Sequence, residues 1–327
     1  MALPAGVEKL EAISPRAFQH PADRAATAAL RQIPYLDAVV RKLGELGYER
    51  ALRQAYLGSA VRLGQEQLPH IWVLEREVFN RLDLADVPDL YLTQFPLANA
   101  VTIGSGRPII VLNSELVRLL DDPGLRAVLA HEAAHVLADH VLYRTALLIL
   151  VQLGAAVRLP VFAGLPLLGI RAALLEWSRA AELSCDRAAA LVTRDPLAVC
   201  RSLMVLAAGE AAGRLNVDAF MRQGLDYEEG ARGLERLSRL LTQLNITHPM
   251  PVRRTHELLR WVRTGAYDRI VDGEYLRRGE EPPPREEADA AAAHYAQRVR
   301  DAFKDASGSL AEAGQQIGDW LSRQRRG

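Results

Sequence analysis

The chain has 327 residues, with 40 basic and 40 acidic side chains and a formal net charge of zero. Those totals give no basic surface for nucleic acid or anionic lipid, so nucleic acid is not an expected partner and function must reside in a local site. The two cysteines, Cys185 and Cys200, lie outside any C-x-x-C pair and exclude a disulfide scaffold.

The first residues, MALPAGVEKLEAISPRAFQHPADRAA, lack the basic start and continuous apolar core of a secretory signal, which points to a cytoplasmic protein. From Asp23 to Gly64 apolar residues recur at helical spacing, among them Leu30, Leu36, Val39, Leu43 and Leu52, with Pro34 as a helix start. Short strands are expected near Leu90–Thr93 and Ala100–Ile103, punctuated by Pro96. After the Gly104-Ser105-Gly106 turn a third strand is expected over Pro108–Leu112; its proline suits the start of a strand or an edge, and the strand could pair with an extended peptide. Asn113 or Ser114 caps a helix carrying Leu116 and Leu120, and Asp121 or Asp122, followed by Pro123, opens another.

The segment Thr145–Ile170 is strongly apolar but interrupted by Gln152, Arg158, Pro160 and Pro166. Its unbroken pieces are shorter than the ~20 residues of a spanning helix, so it reads as a helical hairpin, with peripheral or integral membrane association as the alternative. A helix is expected from about Arg171 to Thr193, ended by Asp195-Pro196. Four segments follow from this pass: an N-terminal helical region (1–65), a main domain (66–275), a charged proline-rich linker (276–290) and an alanine-rich appendage (291–327).

The stretch LAHEAAHVLADH places His131 and His135 one turn apart on one helix face, with Glu132 beside the first. In this H-E-x-x-H pattern two imidazoles can meet one ion and the glutamate can act on water next to it. A catalytic zinc needs a third protein ligand. The extended pattern with a third histidine fails, because Ala138 and Val141 occupy its glycine and histidine positions; His140 falls one residue early and reads as a surface or packing residue. Candidates for a later carboxylate ligand are Glu176 and Glu182, and Asp186, one turn beyond Glu182, could orient a ligand histidine. Cys185 reads as a small buried filler.

Four ordered pieces carry a resemblance: NAVTIGSGRPIIVLNSELVRLL, HEAAH, SRAAELSCD and THPMPVRR. Over roughly residues 90–260 the chain resembles the M48 family of zinc metallopeptidases, which includes HtpX-type and CAAX-prenyl endopeptidases. The resemblance implies an α+β, mainly helical, zincin-like domain with a small sheet, and one zinc per chain held by His131, His135 and Glu182. It implies Glu132 as the catalytic carboxylate and Asp186 as a partner of a ligand. His248 and Arg253 match positions near the active site, His248 as a donor to the developing oxyanion. The expected activity is hydrolysis of a peptide or protein substrate. A non-catalytic, metal-containing peptide-binding module and a membrane-associated peptidase remain as alternatives.

Overall fold

The structure is a computed structural model that describes residues 8–31, 47–104, 106–156, 161–229 and 250–281. His248, the 291–327 appendage and most of the 276–290 linker lie outside the described residues.

Four strands form one mixed sheet: β1 (Val61–Arg62), β2 (Asp89–Thr93), β3 (Ala100–Ile103) and β4 (Ile109–Asn113), in the spatial order β1-β2-β4-β3. β4 runs parallel to β2, while β3 is antiparallel to β4. The expected edge strand around Pro108–Leu112 is therefore an inner strand, hydrogen-bonded on both sides. A one-residue shift places Pro108 just ahead of the ladder, so its missing N–H is no obstacle. The edge on that side of the sheet is β3.

Alternation sorts the strand side chains into two faces. Leu90, Ala100, Ile110 and Leu112 enter the main core, while Tyr91, Ile103, Ile109 and Val111 form a second cluster with Tyr56, Ala60 and Leu148. Thr102, opposite Ile110, shares the main-core face.

The helices are α1 (Pro15–Phe18), α2 (Pro21–Arg31), α3 (Tyr48–Ser59), α4 (Pro69–Arg81), α5 (Ser114–Leu119), α6 (Asp122–Leu137), α7 (Val141–Ala156), α8 (Val161–Thr193), α9 (Pro196–Ala208), α10 (Val217–Glu229), α11 (Pro251–Arg263) and α12 (Ala266–Val271). The mainly helical class with a small sheet agrees with expectation. The helix expected to begin near Arg171 begins at Val161 and takes in Pro166.

α6 starts where the sequence places it. The Asp121 carboxylate accepts the Gly124 N–H at 2.9 Å and Pro123 lies in the first turn. Its buried face is built of Ala127, Ala130, Ala133 and Ala134, and α8 brings Ala181, Ala188, Ala189 and Ala190 into the same part of the molecule. Small side chains let the two helix axes approach closely, which brings the short acidic and imidazole groups on these helices within contact distance.

The expected division at residue 65/66 does not separate two cores. Leu10, Ile13, Phe18 and Leu63 share the main cluster with Phe79, Leu129 and Leu191, while Ala26 and Leu30 of α2 pack with Trp177 of α8. Arg277, at the start of the expected linker, pairs back to Ile13. Among the described residues one helical stretch, Pro196–Arg214, is long and apolar enough to cross a membrane. Its α9 portion packs against α6, α8 and α11.

Candidate metal centre

α6 and α8 cross with His131, His135, Glu182 and Asp186 between them, all buried. His131 Nε2 lies 3.3 Å from His135 Nε2 and 3.3 Å from Glu182 Oε2, and His135 Nε2 lies 3.4 Å from Glu182 Oε1. A tetrahedral ion with bonds of about 2.0–2.1 Å holds its ligands about 3.3 Å apart, so these donors have the mutual spacing that zinc requires. His131 Nδ1, on the far side of the ring, lies 3.0 Å from Asp186 Oδ1. A carboxylate there keeps the proton on Nδ1 and leaves the Nε2 lone pair facing the gap.

A second trio, His131, His135 and Cys185, has donor atoms within 4.8 Å of one another. Burial and the charge of Glu182 push the Cys185 thiol well above its ordinary range, so it stays protonated and is the poorer donor. Glu182, with both oxygens near the imidazoles, is the better one.

Charge gives an independent test of the fit. Among the described residues, the contiguous buried network contains four carboxylates (Asp23, Glu132, Glu182, Asp186) and two guanidiniums (Arg144, Arg254). Carboxylates outnumber guanidiniums around the donors, and in the metal-free protein a proton on His131 offsets part of the excess. A divalent cation between the ligands would take over that role. Burial would lower His131, but the Glu182 charge and the hydrogen bonds of Asp186 and Glu182 overcome it and raise the imidazole to about 9. Burial and the Arg144 charge drive His135 well below its ordinary value.

Glu132 sits beside this gap, with both of its described side-chain contacts on one oxygen. The Thr102 hydroxyl donates to Oε2 at 2.7 Å, and Arg144 Nη1 is 3.7 Å from the same atom. Arg144 also lies 3.9 Å from Glu182 Oε1. A cleft of about 380 Å³ opens onto His131, Glu132 and Glu182. Its walls are mostly apolar, with Leu97–Ala100 ahead of and within β3 on one side and Val128, Leu203 and Leu206 on the other.

Two residues differ from expectation. The arginine in the centre is Arg254: its Nε and Nη2 donate to both Asp186 oxygens at 2.8 and 2.6 Å, and Nη1 is 3.1 Å from Glu182 Oε2. Arg253, about 100° round α11, is half-buried and absent from the cleft wall. Of the two readings for His140, surface or packing, the structure has packing, and the residue lies beyond the helix. α6 stops at Leu137, Asp139 adopts a left-handed conformation (φ 56°), and the Asp139 and His140 N–H groups bond back to Val136 and His135. This Schellman turn folds His140 under the helix end, where it is 1% exposed and touches His135.

Glu176, the other carboxylate considered as a ligand, pairs with Arg179, three residues on. Sequence reasoning also missed Thr102, Arg144 and Asp23. Thr102 and Arg144 stand in or beside the recognised segments, but no spacing marks them; Asp23 gives no local signal.

The sequence model of peptidase family M48 matches residues 73–262. The chain belongs to peptidase family M48. A relative named Plastoglobule-localized metallopeptidase 48, chloroplastic, from Arabidopsis thaliana is 37% identical over 259 residues, 78% of this chain and 74% of its own. A Protease HtpX homolog from Burkholderia multivorans is 27% identical over 238 residues, 64% of this chain and 80% of its own. No solved structure matches. The M48 match runs from α4 to α11 and so takes in α6, α8 and Arg254, but leaves α2 outside.

Proposed function

We propose that this M48 chain is a zinc-dependent endopeptidase in which His131, His135 and Glu182 hold one zinc and Glu132 is the general base. The observation that carries this reading is the set of three donors 3.3–3.4 Å apart with Glu132 beside them. Zinc, when bound, supplies a Lewis acid for the scissile carbonyl and acidifies water next to it. Glu132 accepts the proton of the attacking water on the oxygen turned away from Thr102 and returns it to the leaving amine. Thr102 and Arg144 fix the carboxylate. The expected oxyanion donor, His248, stays part of the proposal.

Substrate recognition rests on β3 and the cleft. The Ala100–Ile103 edge offers backbone groups to an extended peptide, a role that inner strand β4 cannot take. The apolar walls favour an apolar side chain next to the scissile bond. The test is digestion of an unfolded protein with and without chelator, together with metal analysis of the same sample. Cleavage that tracks one zinc per chain is expected; full cleavage by chelated, metal-free protein would rule the reading out.

Two smaller effects follow. Thr102→Val removes a hydrogen bond to a charged group, worth about 1.5–3 kcal/mol, so kcat should fall roughly ten- to hundredfold with zinc content and KM unchanged. Steady-state kinetics check this, and an unaltered kcat would show that Thr102 does not hold the base. Second, His131 must lose its proton to bind zinc. With its pKa raised to about 9, zinc uptake near neutral pH should release a proton, and apparent affinity should rise about tenfold per pH unit before levelling off above 9. In the metal-free protein the sign is reversed: the stability contributed by protonated His131 is complete below 6.5 and lost as pH rises through 9. Calorimetry in buffers of different ionisation enthalpy counts the proton, and a buffer-independent enthalpy would contradict it.

For location, the apolar run of α7 and a relative named for plastoglobules support work at a lipid surface over a freely cytoplasmic enzyme. Co-sedimentation with vesicles tests this, and protein that stays entirely in the supernatant would return the reading to the cytoplasm.

A further inference from the structure

A chain of buried groups runs from the metal centre to the N-terminal helix. His135 Nδ1 lies 3.1 Å from His140 Nδ1, and His140 Nε2 lies 3.2 Å from Asp23 Oδ2 on α2. All three residues are buried, Asp23 completely. Asp23 also accepts from Ser184 Oγ at 2.6 Å and Thr27 Oγ1 at 3.2 Å, with Gln19 Nε2 at 3.4 Å. Each hydroxyl already accepts another bond: Ser184 Oγ from the His20 N–H at 2.9 Å, Thr27 Oγ1 from the Trp177 indole N–H at 2.8 Å. Their own protons are thus turned toward Asp23, which is held as an acceptor.

An acceptor at one end fixes the order of protons along the chain. His140 Nε2 meets Asp23 Oδ2 at 3.2 Å but off the hydrogen-bond line, so it is the carboxylate's charge that favours the proton on Nε2 and leaves His140 Nδ1 with its lone pair. His135 Nδ1–H then donates to that lone pair, and His135 Nε2 is left bare, facing His131 and Glu182. The reverse order would put a hydrogen on His135 Nε2, where no metal could bind. Cys185 Sγ, 3.8 Å from His140 Nδ1, is a weaker neighbour of the same atom.

We propose that Asp23 and His140 are positioning residues for the metal, and that α2, outside the M48-matched segment, completes the centre by setting the tautomer and ring orientation of His135. The proposal rests on the reading of His131, His135 and Glu182 as the donor set. It accounts for two otherwise unexplained features: a left-handed aspartate that re-aims His140, and a fully buried carboxylate on a helix that the motif does not include.

The test uses the full chain with Asp23→Asn, His140→Phe and Leu30→Ala. Phenylalanine keeps a ring against Trp177, now 5.4 Å away from His140 and edge-on, while deleting both nitrogens. Zinc affinity is read by chelator competition, and ligand geometry by the visible spectrum of the cobalt(II)-substituted protein. Asp23→Asn and His140→Phe should each weaken zinc about 10- to 100-fold and change the cobalt spectrum. Leu30→Ala loosens the packing of α2 against Trp177 but touches no member of the Asp23–His140–His135 chain, so it should bind zinc within about threefold of wild type. Wild-type affinity and spectra in the first two variants overturn the proposal, as does an equal loss in Leu30→Ala, which would signal general loosening of α2. If His140→Phe does not fold, Asp23→Asn decides alone. A wild-type chain that takes up no zinc instead overturns the metal-centre reading itself.

Discussion

Replacing Glu132 with glutamine should leave one zinc per chain and reduce peptide hydrolysis by about 10²–10⁴-fold, the range that a positioned general base contributes. Glutamine keeps the shape of the side chain and an oxygen for the Thr102 hydroxyl, so the local packing survives. It lacks the capacity to take a proton from water. The substitution also separates the enzyme from a non-catalytic peptide-binding module. An enzyme loses kcat and keeps substrate affinity, whereas a binding module shows no turnover to lose and the same peptide affinity in both forms. Single-turnover cleavage of an unfolded protein, with metal analysis on the same preparations, distinguishes the two. Glutamine at 132 with undiminished cleavage and full zinc would assign the base elsewhere.

What the sequence made legible is local. His131 and His135 share a face because a helix repeats every 3.6 residues, and Asp121 followed by Pro123 marks where that helix begins. Glu182 and Asp186 lie one turn apart for the same reason, and the structure turns that pair toward the two histidines. Properties that depend on rotation and order in space were not legible. Pro251 announces the start of α11 but not its rotation, so Arg254 in place of Arg253 became visible only through its contacts with α8. Strand order cannot be read from a run of apolar residues, and the proline at 108 suggested an edge that β3 in fact provides. That His140 packs beneath the helix end instead of facing solvent was hidden because its turn uses aspartate where glycine is the usual left-handed residue. Asp23 reaches Ser184 across 161 positions, and nothing in its own neighbourhood distinguishes it from a surface aspartate in an amphipathic helix.

The same network makes Arg254 the substitution with the largest expected effect on stability. Its guanidinium bridges both oxygens of Asp186 and one of Glu182 in the interior. Arg254→Met keeps much of the apolar stem but takes the guanidinium away from both carboxylates, leaving Glu182 only the more distant Arg144 guanidinium at 3.9 Å among its described arginine contacts. Breaking a buried pair from one side costs about 3–5 kcal/mol, because the remaining charge is stranded. At about 2–4 °C per kcal/mol for a domain of this size, the metal-free protein should melt roughly 6–20 °C lower. Arg254→Lys should recover little of this, since an ammonium cannot span two carboxylate oxygens as a planar fork does. Zinc should raise the melting temperature of Arg254→Met by more than it raises that of wild type, because the ion takes over part of the lost compensation. Calorimetry of each variant with and without zinc measures both quantities. An Arg254→Met chain that melts like wild type without metal would mean that Asp186 and Glu182 are neutral in the fold, and the charge argument for a divalent ion would fall with it.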